Sequence, residues 1–316
     1  MKKKLKILRS AVGSPPSLGL IRELQKNNIE IIGIDANPLS FGLYDLKKTY
    51  LVPPGDSPDF LDKIIKIIEE ESPDAILSGP EQEILVLSKN KELLEKNGGM
   101  LLCPDYDSVV ICSDKEKTYT KFEELGIPFP EIYSIKNVQF PCIIKPKSGS
   151  GSLNVYKIEN RKQFNFFIKK VRHPIIQEFI KGEEYTIDIL ADKNGNCLSV
   201  VPRLRISTES GISMKGKTIY NKEMMDYCKL IVKKLKLFGP LCIQCIKKND
   251  KLRFLEINLR FGGGSILSIK ADPTIIPNLI RIINRQNPIQ GNGFKRGLYM
   301  LRNYCEIYVD EKDLKS

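Results

Sequence analysis

Residues 254–261 read FLEINLRF, and Gly262-Gly263-Gly264 follow at once. Side chains alternate faces along an extended strand, so Glu256, Asn258 and Arg260 share one face and Leu255, Ile257 and Leu259 the other. One dry face is ordinary; a carboxylate, a carboxamide and a guanidinium in a row on the other ask for a reason. Glu256 offers two oxygens to a hard cation and Asn258 a neutral one, the kind of ligand magnesium takes while keeping waters and phosphate oxygens. The preceding strand, LCIQCIKKN (241–249), is joined by a short turn near Asn249-Asp250 and brings Gln244 alongside as a third oxygen. Arg260 would then face a phosphate that such ions neutralise. Taken alone, the segment reads equally well as the solvent side of an edge strand.

Upstream, FPCIIKP (140–146) is apolar until Lys145, and Ser148, Gly149, Ser150, Gly151 and Ser152 follow. Glycines let backbone approach a ligand, successive amide hydrogens can cradle phosphate oxygens, and a lysine adds a point charge. No GxxxxGK[ST] is present and the loop leads into a strand, so it is not a Walker A loop. A Gly/Ser hairpin turn explains it as well. After QEFIKGE, Glu184 suits a pair of ribose hydroxyls and the extended backbone of Phe179 and Ile180 suits an adenine edge; a solvated acid at a strand start is the alternative.

Strand-like KLKILRSAV (4–12) and IEIIGIDAN (29–37), helical 17–27 and 58–71, strand 73–79, a helical run from Glu81 and a short strand at MLLC alternate as in a parallel α/β layer. The rhythm changes near residue 113, where a helix with Ser113 as N-cap leads to Gly126 and Pro128. Hairpin-like strands with turns at Asn194-Gly195 and Asn249-Asp250 then indicate antiparallel sheet.

Composition narrows the function. The 316 residues carry a net charge of +12, yet the excess is lysine spread along the chain, without an arginine stripe or interleaved aromatics, so no nucleic-acid partner is expected. No apolar run approaches the ~18–20 residues that cross a bilayer, and Lys6 and Arg9 interrupt any signal-peptide core, so no membrane partner and a cytoplasmic location are expected. The eight cysteines sit mostly in apolar runs and read as buried thiols, Cys242 and Cys245 included. The single histidine, His173, precedes Pro174 at a strand entry, which leaves little for a histidine-based mechanism. Arg203 and Arg205 in PRLRISTESGISMKGKT (202–218) share a strand face and either bind an anion or are surface arginines. Gly13-Ser14-Pro15-Pro16-Ser17 sits where an α/β sheet binds ligands, although its prolines spoil a dinucleotide fingerprint.

Taken together, SDK (113–115), IIKP (143–146) with its Ser/Gly loop, QEFIKGEEYTID (177–188), Gln244 and LEINLRFGGG (255–264) resemble the ATP-grasp superfamily. Within it, the chain resembles single-module, carbamoyl phosphate synthetase-like ligases, a group that includes the pyrrolysine-pathway ligase; IIGIDANPLS, YLVPPGD and LSGPEQEIL resemble a preATP-grasp domain. The resemblance implies an α/β, Rossmann-like front domain (1–112), an ATP-grasp small lobe (113–180) and a large lobe with the C-terminal tail (181–316), the two lobes built on antiparallel sheets. It implies phosphate-binding roles for Lys115 and Lys145, with Ser148 to Ser152 as the closing loop. It assigns Gln177, Glu178, Phe179 and Ile180 to the adenine hinge and Glu184 to the ribose. Gln244, Glu256 and Asn258 become ligands of two Mg2+ ions (or Mn2+), and Arg260 the group that stabilises the transferring phosphoryl. Arg203 and Arg205, from a similar PR-x-R element, are expected on a substrate carboxylate or the γ-phosphate, and Lys215 on the nucleotide side. Leu259 stands where proline is common, and Gln244 where many relatives have an acid. The implied activity is an ATP-dependent carboxylate–amine ligase acting through an acyl phosphate on small molecules, expected as a homodimer. Carboxyphosphate chemistry and a non-catalytic ATP-binding role are the alternatives. Ser14, Asp35 and Glu81 are expected to border the acceptor pocket.

Overall fold

Ile7 and Leu8 are neighbours in sequence and both fully buried, yet they belong to different cores. In the computed structural model, which describes residues 4–149, 151 and 153–315, they lie in the middle of a parallel sheet covered on both faces. Its strands are β1 (Leu5–Ser10), β2 (Ile29–Asp35), β3 (Lys48–Leu51), β4 (Ala75–Leu77) and β5 (Met100–Leu101), in the order β3-β2-β1-β4-β5. Double coverage explains the near-continuous apolar runs of β1 and β2. Helix Ser17–Lys26 packs Leu20, Ile21 and Leu24 with Ile7 and Ile31, and helix Phe60–Glu71 packs Phe60, Ile64, Ile67 and Ile68 with Leu8 and Ile32. The winding reverses between β1 and β4, so a crevice opens beyond their carboxyl ends, at Arg9–Ala11 and Gly79–Pro80.

Two antiparallel sheets complete the fold, as the α+β expectation requires. β6 (Cys142–Pro146), β7 (Tyr156–Ile158) and β8 (Pro174–Glu178) form a small sheet in the order β7-β6-β8. Val138, Ile144, Phe164 and Ile176 give it a separate small core. β9 (Glu183–Ala191), β10 (Cys197–Glu209), β11 (Ile212–Thr218), β12 (Gly239–Lys248), β13 (Lys251–Asn258) and β14 (Tyr299–Leu301) form a six-stranded sheet in the order β13-β12-β9-β10-β11-β14. Asn249 and Asp250, both at positive φ (47° and 60°), close the β12–β13 hairpin as two-residue hairpin turns require. The cores of the front sheet and the large sheet are continuous: Leu8, Phe60, Ile187, Ile243 and Phe254 lie in one cluster.

Two local expectations are corrected. The helix after residue 113 is Lys115–Glu124 and its cap is Asp114, not Ser113; the aspartate accepts from the backbone N–H of Glu116 and Lys117. Ser113 instead ends a separate helix, Tyr106–Ser113, whose weak amphipathic signal hid it. The helical run from Glu81 breaks at Asn90 into Glu81–Lys89 and Lys91–Asn97. Among the described residues no helix is long and apolar enough to cross a membrane. All eight cysteines are free, and burial pushes the Cys242 and Cys245 thiols up to about 12.

Candidate functional site

Strand β13 does not run straight, and the site depends on it. Gln244 pairs with Glu256, but the next residue, Cys245, pairs with Phe254, so Leu255 is an extra residue in the ladder. Such a bulge shifts the side-chain phase by one. Before it, Leu252 and Phe254 point into the core; after it, Ile257 and Leu259 do. Without the extra residue Glu256 and Asn258 would follow Phe254 inward. The bulge also corrects the placement of Leu255, expected on the dry face. Leu255 lines the cavity, and its carbonyl accepts from the Tyr119 hydroxyl at 3.0 Å.

That cavity, of about 520 Å³, lies between all three sheets. It gathers most residues singled out above: Lys115, Lys145, Gly149 and Gly151; Gln177, Glu178, Phe179 and Ile180; Glu184, Arg203 and Arg205; and Gln244, Glu256, Asn258 and Arg260. Ser14 reaches it from the front sheet. Ser148 and Lys215 are exposed and are not among its lining residues, nor are Asp35 and Glu81. Ser150 and Ser152 lie outside the described residues. Asp35 accepts from the backbone N–H of Gly13 and Asn37, which ties down the turn after β1. Glu81 lies near Lys115, Glu256 and the Gly149 backbone, and burial raises its pKa.

The cation cluster is built around a buried lysine. Lys145 Nζ donates to the Tyr119 hydroxyl at 3.0 Å, whose proton is shared between Gln177 Oε1 and the Leu255 carbonyl. Burial, helped by the like charge of Lys115 and opposed by Glu256, lowers Lys145 to about 7. Lys115 Nζ donates to the Gly149 carbonyl at 3.1 Å and stands 4.0 Å from Glu256. Lys115 and Lys145 thus stand with the carboxylates of Glu256 and Glu81 beside Gly149, and an anion bound there would favour the charged form of both lysines.

Glu256, Asn258 and Gln244 present their oxygens along one edge. Asn258 Nδ2 donates to Glu256 Oε1 at 2.9 Å, and Arg205 Nη1 donates to Gln244 Oε1 at 3.1 Å. Among the described residues no group of three His, Cys, Asp or Glu could hold a metal. The donor chemistry fits a magnesium-type ion nonetheless: one carboxylate and two carboxamides are too few for a protein cage and suit an ion that takes its other ligands from phosphate and water.

The two arginines of β10 part ways. Arg203 is 2% exposed; its Nε and Nη2 donate to Asp188 at 2.6 and 3.4 Å, and its Nη1 to Ser213 Oγ at 3.0 Å. A Cβ on Gly264 would lie 2.5 Å from Arg203 Nη1, so glycine there lets the chain pass over the guanidinium. Arg205, 3.2 Å from Glu184 and 2.8 Å from the Gly211 carbonyl, reaches the metal-ligand candidates instead. Sequence reasoning missed Tyr119, which no local pattern marks. It also missed Asp188, which faces Arg203 only once β9 and β10 pair, and Arg9, whose one signal is a charge inside the apolar run ILR.

A family model described as an ATP-grasp domain matches residues 112–264, and one described as the PylC-like N-terminal domain matches residues 18–102. The chain carries an ATP-grasp domain. The carbamoyl phosphate synthase large chain of Clostridium acetobutylicum is 24% identical over 227 residues, 64% of this chain and 21% of the relative. The D-alanine–D-alanine ligase of Fusobacterium nucleatum is 28% identical over 161 residues, 47% of this chain and 56% of the relative. The ATP-grasp chain therefore spans about a fifth of the first relative and about half of the second. The biotin carboxylase domain of Hydrogenobacter thermophilus 2-oxoglutarate carboxylase, solved with MgADP and bicarbonate, superimposes with a TM-score of 0.73 at 15% identity, over 93% of this chain and 73% of that one. At that identity the likeness concerns the fold: a preATP-grasp sheet in front of an ATP-grasp domain with two antiparallel sheets.

Proposed function

We propose that the protein is an ATP- and magnesium-dependent carboxylate–amine ligase that forms a carbon–nitrogen bond between small molecules and releases ADP and phosphate. The observation that carries this reading is the convergence, in one cavity, of Lys115 and Lys145 with the oxygen edge Gln244, Glu256 and Asn258. Relatives that join carboxylates to amines or handle bicarbonate and MgADP support the same class.

In this reading Gln177 to Ile180 hold adenine and Glu184 the ribose. Lys145 and Lys115 hold the phosphates against the backbone of Gly149 and Gly151. Glu256 and Asn258, with Gln244, hold magnesium, which neutralises phosphate charge when bound. A carboxylate oxygen attacks the γ-phosphorus and ADP leaves; an amine nitrogen then attacks the acyl carbon, phosphate leaves and the amine gives up a proton. Arg260 steadies the charge on the transferring group. Phosphoryl transfer needs position and charge rather than a protein nucleophile, so a chain with one histidine is sufficient. The small sheet, with its separate core, is suited to move as a lid that keeps water from the acyl phosphate.

The test is ADP release against a matrix of carboxylic acids, bicarbonate included, and amines, with mass detection of the product. A condensed product with one ADP per bond is expected. Nucleotide binding without turnover on any pair would overturn the ligase reading in favour of a binding protein, and carboxyphosphate chemistry would appear as bicarbonate-dependent turnover.

A further inference from the structure

Arg9 is a charge placed where the front sheet should be apolar. It lies on β1, is 6% exposed and lines the same cavity as Arg260, at the reversal point of the sheet. Its Nη1 donates to the Leu77 carbonyl at 3.2 Å, and its Nε is buried without a hydrogen-bond partner among the described residues. No described carboxylate stands within ion-pair distance of it. Glu83 is the acid whose field most favours its charge, while Arg260, which lines the same cavity, opposes it. Glu83 Oε2 is occupied by the Ser78 hydroxyl at 2.8 Å. Burial pulls the Arg9 guanidinium down to about 10, so it remains cationic at neutral pH.

A buried, incompletely partnered cation that shares a cavity with a second cation opposing its charge is costly unless an anion relieves it. The nucleotide cannot be that anion in the reading above, because its phosphates belong beside Lys115, Lys145 and the glycine turn. The part of the cavity wall that the front sheet and its first helix supply differs in kind: Ala11, Pro16 and Leu20 are small or apolar, and Ser14 and Ser17 are hydroxylic. That lining suits a short organic acid.

We infer that Arg9 binds the carboxylate of the non-nucleotide substrate, so that the front sheet supplies the selection for a small anionic acceptor such as an amino acid. The inference rests on the ligase reading for its substrate, but not for its test. The full chain is titrated calorimetrically with a panel of amino acids and with the matching amino acid amides, with and without magnesium and the non-hydrolysable analogue AMP-PNP. Acids are expected to bind and amides to bind at least roughly tenfold more weakly, the scale of one lost charge-assisted hydrogen bond. Arg9→Met should weaken acid binding by roughly tenfold to a hundredfold, and Arg9→Lys by less, with AMP-PNP affinity unchanged in both. The unmodified chain carries the acid-versus-amide comparison even where a variant folds poorly. Equal binding of acids and amides, no binding of any acid, or unaltered acid affinity in Arg9→Met overturns the Arg9 assignment. Loss of AMP-PNP binding alone overturns the ATP reading instead and leaves the carboxylate titration to score Arg9.

Discussion

Lys145 Nζ rests 3.0 Å from the Tyr119 hydroxyl, a neutral partner, although Glu256 shares the cavity. The pairing sets a pH dependence. With its pKa lowered to about 7, Lys145 is mostly neutral at pH 8 in the free protein. A bound triphosphate favours the ammonium, so nucleotide binding should take up close to one proton near pH 8 and about none below pH 6. Calorimetry in two buffers of different ionisation enthalpy measures this, and Lys145→Met should abolish it. The lowered pKa also means that the folded form binds fewer protons than the unfolded one between about 7 and 10.5, so ligand-free stability should rise with pH across that window. Proton uptake that persists in Lys145→Met would assign the titration elsewhere.

Glu256 is the single carboxylate of the oxygen edge, and its neighbours Asn258 and Gln244 are neutral. Glu256→Gln keeps the shape and removes the charge. ADP release should fall by roughly a hundredfold or more while the unfolding midpoint holds, because a cation site rather than a packing site is lost. Restored turnover at high magnesium or manganese would support ligation; full activity at ordinary magnesium would remove Glu256 from the metal site.

Arg203 and Arg205 should separate in a denaturation experiment. Arg203→Met strands Asp188, whose side chain is 5% exposed, and should cost about 3–5 kcal/mol. Arg205 pairs with the half-exposed Glu184, so Arg205→Met should cost about 1–2 kcal/mol and act mainly on turnover. Equal stability losses would show that the two arginines do the same job.

Glycine 264 and glycine 19 make a matched pair. An alanine Cβ at 264 would lie 2.5 Å from Arg203 Nη1, so Gly264→Ala must displace a buried ion pair and should destabilise by about 1–3 kcal/mol. At Gly19, inside helix Ser17–Lys26, the nearest atom is Ile266 Cγ1 at 3.4 Å, an ordinary contact. Gly19→Ala should therefore stabilise by about 0.5–1 kcal/mol through helix propensity. Thermal unfolding of both variants against the parent reads the opposite signs.

Much of this architecture was legible locally. Alternation of apolar runs with period-3.6 segments marks the front sheet, because a strand covered on two faces must be apolar throughout. The Asn249-Asp250 turn sets the register from Lys248–Lys251 to Cys245–Phe254 and so brings Gln244 beside the Leu255–Glu256 segment, because a two-residue hairpin sets register within a few residues. The bulge was not legible: FLEINLRF reads as straight alternation, and which residue leaves the ladder is decided by the packing of Phe254 against Phe122 and Tyr227.

The order of apolar, glycine and hydroxyl residues along the chain determined the elements and named most of the cavity wall, since helices, strands and tight turns are chosen by neighbours. Which charges are spoken for was left to the tertiary structure. Arg203 is consumed by Asp188 from the adjoining strand, and Arg9 arrives from the far end of the chain with Nε unpaired among the described residues. Coulombic partnership depends on distance through space and on exclusion of water, and neither is encoded in spacing along a sequence.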